Sequence, residues 1–550
     1  MVIGNCAVTK VLVILALGLL FGAAPGVSRA GTTERVSVAS DGAQGNDNSE
    51  DPSISADGRF VAFYSLASSL VAGDTNGKRD IFVHDRQTGQ TERVSVASDG
   101  TQANDWSRYV SISADGRFVS FQSAASNLVA GDTNGKADAF VHDRQTGQTT
   151  RVSVTSDGAQ GDDSSDVTYI SGNGRFVAFS SKASNLVAGD TNGEPDIFVH
   201  DRQTGQTERV SVASDGTQAN DISYDLWLSG DGRFVAFESV ASNLVAGDTN
   251  ETGDIFVHDR QTGQTTRVSV ASDGTEANGY SYYPTISADG RFAAFGSSAS
   301  NLVAGDTNAA EDVFIHDRQT GQTTRISVAS DRAQGNGDSW KPSPSADSRF
   351  VAFDSAASNL VAGDTNGKWD IFLHDRQTGQ TTRLSVAPDG AQGNGDSRYP
   401  CIGAEGLLVA FYSGAGNLVA GDTNGSNDVF LHVRAVRLTV DSAPIIGVSV
   451  TGDQPGETEY TALCEPDQAV NLTAPAAISL GGTNYTFDRW YVDNVPGTRG
   501  EATVEVMMDS HHTAVAQYDW RLDGDLTGDC TVNILDMIYV RNRLNETCSE

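Results

Sequence analysis

Oxygen-bearing side chains recur in this sequence at spacings that suit a hard cation. The densest run, Asp525-Leu-Thr527-Gly-Asp529-Cys-Thr531-Val-Asn533-Ile-Leu-Asp536, places them at loop positions 1, 3, 5, 9 and 12, with position 7 offering its carbonyl. That is the spacing of a twelve-residue calcium loop. A sparser pattern, Asp-x-Asn-x-x-x-Asp, occurs seven times: Asp74/Asn76/Asp80, Asp132/Asn134/Asp138, Asp190/Asn192/Asp196, Asp248/Asn250/Asp254, Asp306/Asn308/Asp312, Asp364/Asn366/Asp370 and Asp422/Asn424/Asp428. Calcium ligation would explain why these positions hold while Gly77 gives way to Glu251 and Ala309. An Asx-turn explains it as well, because short Asp and Asn side chains bond nearby backbone. Three ligands are also few for calcium, which takes six to eight.

A second chemistry is recognition by aromatic and charged surfaces. Where the seven copies differ most, they carry Trp106, Arg108, Tyr109, Tyr224, Tyr280, Tyr282, Tyr283, Trp340, Lys341, Arg398 and Tyr399. Aromatic faces stack on sugars or hold a peptide, and a constant frame bearing variable side chains is how a binding surface is built. Catalysis has less support. His84, His142, His200, His258, His316, His374 and His432 are framework positions of the repeat and fit packing better than reaction. The pair His511-His512 is isolated, and no nucleophile elbow, zinc helix or phosphate loop occurs. No single carboxylate pair stands out for glycoside hydrolysis.

The elements that must position these residues come from a repeat of 58 residues. Arg-Val-Ser-Val begins at Arg35, Arg93, Arg151, Arg209 and Arg267, with Ile and Leu variants at Arg325 and Arg383. Each copy predicts four strands: in the first, Pro52–Ala56, Arg59–Tyr64, Asp80–Asp85 and Arg93–Ala97. Asp57-Gly58, replaced by Asn173-Gly174 in the third copy, predicts a type I′ hairpin with two left-handed residues. Phe60-Val61-Ala62-Phe63 and Ile81-Phe82-Val83 are apolar on both faces, as in sheets packed between sheets. The spacing predicts a seven-bladed β-propeller over 31–434 rather than a solenoid, which would need capping repeats. After the last copy the turn Asp-Arg-Gln-Thr-Gly-Gln is missing, so the strand at Arg35–Ala39 is expected to complete the seventh blade and protect both edges. The variable residues would then gather at one mouth of the central channel.

Ser-Ala-Asp-Gly-Arg-Phe-Val-Ala-Phe followed by Asp-Ile-Phe-Val-His-Asp resembles the WD-like repeat of TolB-type β-propellers across roughly Thr33–Arg434. The resemblance implies a fold rather than a function, since such propellers are mostly binding platforms and sometimes enzymes. The stretch 435–519 alternates in β fashion, as at Ile446–Val450 and Ala502–Val506, with Phe487, Trp490 and Tyr491 as core candidates. It resembles the small bacterial-repeat β-sandwich of exported proteins. The stretch 520–550, an EF-hand-like calcium loop and the helical pattern Ile534–Leu544, resembles half of a type I dockerin, which implies a cohesin-like receptor. It departs from that pattern at Cys530, where glycine is usual, and in having one loop instead of two.

Lys10, the apolar run Val11–Leu20 and Ser28-Arg29-Ala30 predict a signal peptide over 1–30, and no later stretch is apolar enough for a membrane span. The net charge of −34 argues against nucleic acid and anionic lipid as partners. Of five cysteines, Cys6 leaves with the signal. Cys530 and Cys548 are placed to form a disulfide in an oxidising compartment, and Cys401 with Cys464 would have to bridge two domains. The expectation is an all-β, secreted, cell-surface or periplasmic protein that binds an extracellular carbohydrate or protein, with a calcium-dependent anchor. The alternative is a carbohydrate-active hydrolase or lyase attached to a scaffold through its tail.

Overall fold

The computed structural model describes residues 31–443, 446–464, 468–480, 483–508 and 512–521. The expected signal segment, the loop Asp525–Asp536 with the helix after it, and Cys530 and Cys548 lie outside the described residues. Among those described there are strands and turns but no helix, hence none long and apolar enough to cross a membrane.

Between Thr32 and Val433 the chain forms seven four-stranded antiparallel sheets. In the first, Ser49–Ile54 pairs with Phe60–Ser65, then Asp80–Asp85, then Gln90–Arg93. The first strands of consecutive sheets touch in a closed cycle, with Ser397–Ile402 returning to Ser49–Ile54. The sheets therefore stand as a propeller-like ring with the first strand of each innermost. The last sheet takes its outer strand from the other end of the repeat: Thr32–Arg35 pairs with Asp428–Val433, Thr32 opposite Val433 and Arg35 opposite Phe430.

Cores form between sheets rather than within them. Ala62, Ile81 and Val83 of the first sheet pack on Val119, Phe121 and Phe140 of the second, and every junction round the ring repeats the pattern. Beneath them each sheet stacks two phenylalanines, as Phe63 on Phe82 at 6.0 Å. The middle strands are buried on both faces because each meets a neighbouring sheet on either side.

Two local expectations are corrected. The outer strand is Gln90–Arg93, so Arg-Val-Ser-Val begins as the strand ends. Val94 and Ser95 beyond it are buried, the Ser95 hydroxyl donating to Asp80 at 2.5 Å, so this segment is an inward tether rather than a half-wet strand. The Asp57-Gly58 hairpin has one left-handed residue, not two: Gly58 lies at φ 71°, and Asp57 instead accepts hydrogen bonds from Ser55 and the Arg59 N–H. The glycine is required twice over, since a Cβ at Gly116 would stand 2.1 Å from Phe60 of the preceding sheet.

After the ring, two sheets follow. One contains Val436–Ala443, Tyr460–Cys464, Ala477–Leu480, Thr483–Val492, Val495–Pro496 and His512–Arg521; the other contains Ser449–Gly452, Gly456–Glu457, Ala469–Thr473 and Thr503–Met507. Phe487 and Trp490 are buried as expected, but Tyr518 completes the cluster in place of the half-exposed Tyr491. Cys401 and Cys464 are free thiols, so they do not bridge.

Ser348 occupies the hairpin position that glycine holds in the other sheets. It is left-handed at φ 54°, and its buried hydroxyl has no hydrogen-bond partner among the described residues. Ser348→Gly is expected to stabilise the protein by roughly 1–2 kcal/mol by removing both costs. The readout is a higher denaturant midpoint at unchanged slope, and a lower midpoint would refute the strain.

Candidate ligand-binding site at the propeller axis

The inner strand of every sheet is irregular at one place. Its pairing with the second strand slips between Glu50 and Ser53, Arg108 and Ser111, Asp166 and Thr168, Tyr224 and Leu226, Tyr282 and Thr285, Trp340 and Ser343, and Arg398 and Cys401. Such a bulge re-aims a side chain. The residues it re-aims are Asp51, Tyr109, Val167, Asp225, Tyr283, Lys341 and Tyr399, one per sheet, and all seven line one cavity on the ring axis. Six of them are left-handed, with φ between 32° and 56°. Val167 alone is not, in keeping with the cost of that conformation for a β-branched side chain. Strain recurs at this point in six of the seven sheets and is directed at one cavity, which makes that cavity the candidate site.

The cavity is narrow, about 80 Å³, and its wall includes Pro52, Pro284, Pro342, Pro400 and the Cys401 thiol. Several waters or one slender side chain fill such a volume. The Lys341 ammonium lies 3.5 Å from the Tyr283 ring centre and 4.4 Å from that of Tyr399. Burial raises the Asp51 carboxyl to about 6, with Lys341 opposing and Glu50 and Asp225 reinforcing the rise.

The variable residues expected to form a binding surface divide into two groups. Tyr109, Tyr283, Lys341 and Tyr399 face the cavity. Trp106, Arg108, Tyr224, Tyr280, Tyr282, Trp340 and Arg398 make a belt round it. Arg108 lies over Trp106 at 4.7 Å and Tyr109 at 4.6 Å. Arg398 sits over Trp340 at 4.7 Å and Trp369 at 3.8 Å while pairing with Asp354 at 3.1 Å. The Trp340 indole donates to Glu311, and the Tyr224 and Tyr280 hydroxyls bond one another beside Glu238. Burial lifts Glu238 to about 7 and Asp354 to about 6, the latter opposed by Arg398.

Asp51, Val167, Asp225, Glu238, Glu311, Asp354 and Trp369 were missed from sequence. The signal was present in columns 58 residues apart: Tyr64, Gln122, Ser180, Glu238, Gly296, Asp354 and Tyr412 vary inside an otherwise constant second strand.

In the blade loops the residues expected as calcium ligands have protein partners. Asn76, Asn134, Asn192, Asn250, Asn308, Asn366 and Asn424 do not present a free carbonyl to a cation. Each accepts the N–H of the residue two positions on, at 2.8 to 3.1 Å. Each also donates its amide to a main-chain carbonyl of the following tether, at 2.9 to 3.0 Å. All seven are Asx-turns that pin the loop to the tether.

The aspartates are committed too. Asp74 and Asp80 receive Gln102 at 2.7 and 3.1 Å, and Arg93 stands 3.5 Å from Asp74. Asp312 receives Ser327 at 2.5 Å, Arg325 at 2.8 Å and Gln334 at 3.3 Å. The tether arginine likewise bridges Asp132 and Asp138, Asp190 and Asp196, Asp306 and Asp312, Asp364 and Asp370, and Asp422 and Asp428. The fourth loop differs, because Glu276 replaces the glutamine, and Asp248, Asp254 and Glu276 stand close enough to share a metal ion. Arg267 pairs with all three, at 3.4, 3.2 and 2.7 Å. The framework histidines are buried against threonine, as His84 on Thr91 at 2.9 Å, and burial lowers their pKa.

No protein-family model and no curated protein matches the chain in sequence. Among solved structures it is similar to TolB from Acinetobacter baumannii, at 16% identity and TM-score 0.35, over 59% of this chain and 62% of that one, less than two thirds of its length. It is also similar to an oligogalacturonate lyase from Vibrio parahaemolyticus, at 12% identity and TM-score 0.44, over 73% and 93% of the two chains. A third is the β-propeller domain of the Trilobed protease from Pyrococcus furiosus, at 11% identity and TM-score 0.43, over 70% and 95%.

The buried acids set a pH dependence. Folded Asp51, Asp354 and Glu238 bind protons that the unfolded chain has released, so their burden on stability is full above about pH 7 and lifts as pH falls toward 4. Asp85, held at about 2 by Arg59, acts oppositely, and its contribution is lost as pH falls through that value. The melting temperature is expected to peak near pH 5. Glu238→Gln should raise it at pH 8 and leave it nearly unchanged at pH 5; equal effects at both would refute the assignment.

Proposed function

We propose that this is an exported, non-catalytic binding protein whose axial mouth grips one group of an extracellular polymer or protein. The observation that carries the reading is the seven bulges, each turning a side chain into one cavity from an otherwise constant frame. The cavity is too narrow for a chain to thread, so the ligand lies across the aromatic belt and inserts a single group. Screening the mature chain against arrayed extracellular polysaccharides and peptides, followed by calorimetry, tests this. Replacing Tyr283 and Tyr399 together by Ala should weaken any hit at least about tenfold, the scale of aromatic hot spots. Unchanged affinity would sink the proposal.

A second reading, a carbohydrate-active hydrolase or lyase, draws on Asp51, a cavity-facing carboxyl raised to about 6 and so suited to acid–base work. It requires polysaccharide cleavage that Asp51→Asn abolishes.

The proposal includes a bacterial-repeat β-sandwich spacer and a calcium-dependent anchor at Asp525, Thr527, Asp529, Thr531, Asn533 and Asp536, engaging a cohesin-like receptor. The Arg and Gln donors on the blade-loop aspartates support a reading of these loops as Asx-turns without calcium. Calorimetry on the full chain is therefore expected to count about one calcium ion, removed by Asp525→Asn with Asp529→Asn. A count of about eight ions would contradict the Asx-turn assignment of the blades.

A further inference from the structure

Two carboxylates face the axial cavity, Asp51 from the first sheet and Asp225 from the fourth, and neither has a hydrogen bond or salt bridge among the described residues. The one cation on the wall, Lys341, rests on the Tyr283 and Tyr399 rings and likewise makes no salt bridge among the described residues. The cavity thus holds two negative groups against one positive, in a narrow space shielded from water, where unneutralised charge costs most. Four tyrosines, Tyr109, Tyr169, Tyr283 and Tyr399, line the cavity, and aromatic faces favour a cation. Tyr109 lines the same cavity as the two acids.

We propose, resting on the binding reading above, that this cavity takes the side chain of a lysine presented by a protein partner, its ammonium between Asp51 and Asp225 and its stem against Tyr109 and Tyr399. Shape selects lysine. In a cavity of about 80 Å³ an unbranched four-carbon stem is a better match than the bulkier ring of an amino sugar. The Lys341 ammonium over Tyr283 and Tyr399 shows that these rings accept a primary ammonium. Guanidiniums are accommodated elsewhere, in the belt, where Arg398 lies over two indoles and Arg108 over an indole and a phenol. The four prolines on the wall fix φ and bring no backbone N–H to compete for the carboxylates. Outside the cavity, a net charge of −34 draws a basic partner toward the mouth.

The test uses the full chain at pH 8 in low salt, with n-butylammonium and the tripeptide acetyl-Gly-Lys-Gly-amide as probes. Calorimetry should show both binding, while butanol and the norleucine tripeptide do not. Asp51→Asn and Asp225→Asn, which keep the side-chain shape, should each weaken binding at least about tenfold. Lys341→Met should tighten it by removing the internal competitor, and n-butylammonium should restore any melting temperature this variant loses. Equal binding of the lysine and norleucine peptides, preference for arginine peptide or glucosamine oligomer, or wild-type affinity in both Asn variants would overturn the proposal. If the Tyr283 and Tyr399 replacements still weaken a different ligand in those cases, the binding reading survives without the lysine; if they weaken none, both fall.

Discussion

A four-stranded sheet whose two middle strands are apolar on both faces cannot exist alone. Each face is satisfied only by the next copy of itself, so the unit of stability is the junction, not the sheet. An open row of such sheets leaves one apolar face at each end and an unpaired outer edge, and closing the ring removes both liabilities. The closing device is Thr32–Arg35, which lies about four hundred residues in sequence from the Asp428–Val433 strand it completes. Ser37 behaves there as its counterparts do, donating to the buried Asp428 at 2.8 Å. The first and last parts of the repeat are thus bound by the same contacts that bind each outer strand to its own sheet.

The ring also decides where variation is tolerated. Residues at a junction meet a partner 58 positions away, so a change in one copy must suit the next. Phe60 illustrates the constraint, being held between Arg59 of its own sheet and Arg144 of the next, at 4.7 and 4.2 Å. The side chains turned by the bulge face the axis instead, where they meet one another across a cavity rather than a packed junction, as Lys341 meets Tyr283 and Tyr399. The bulge spends backbone strain to release them from pairing. Seven side chains of differing chemistry can therefore stand on one wall without disturbing the frame that carries them.

How much of this was legible follows from the kind of signal each feature leaves. The apolar middle strands and the repeat length are patterns of type and period, so the sheets and their closure could be read directly. Arg-Val-Ser-Val was misplaced because its alternation looks like a strand, while Arg93 and Ser95 serve to neutralise and bond Asp74 and Asp80. The loop asparagines fit a ligand pattern and an Asx-turn equally well in sequence, and only the direction of their hydrogen bonds separates the two. The bulges left no mark, since left-handed positions are normally read from glycine, and here they hold Asp, Tyr and Lys. Asp51 and Asp225 were overlooked in a chain full of aspartate, where aromatic residues draw the eye. Only their register with Tyr109, Tyr283, Lys341 and Tyr399 sets them apart.

The contrast between paired and unpaired acids is what finally separates frame from site. Asp85 and its equivalents meet an arginine in bidentate geometry, as Arg59 at 2.9 and 2.7 Å, and Asp80 and its equivalents are met by serine and arginine, joined by glutamine in every copy but those of Asp254 and Asp370. In these columns the structure leaves no carboxylate in want of a partner, so they need nothing from outside. Asp51 and Asp225, partly buried on the cavity wall, have no hydrogen bond or salt bridge among the described residues. The fold satisfies the carboxylates of these framework columns and leaves unmet acid at the inner strands, where Glu238 and Asp354 each keep one buried oxygen without a partner and Asp51 and Asp225 face a cavity lined by tyrosine.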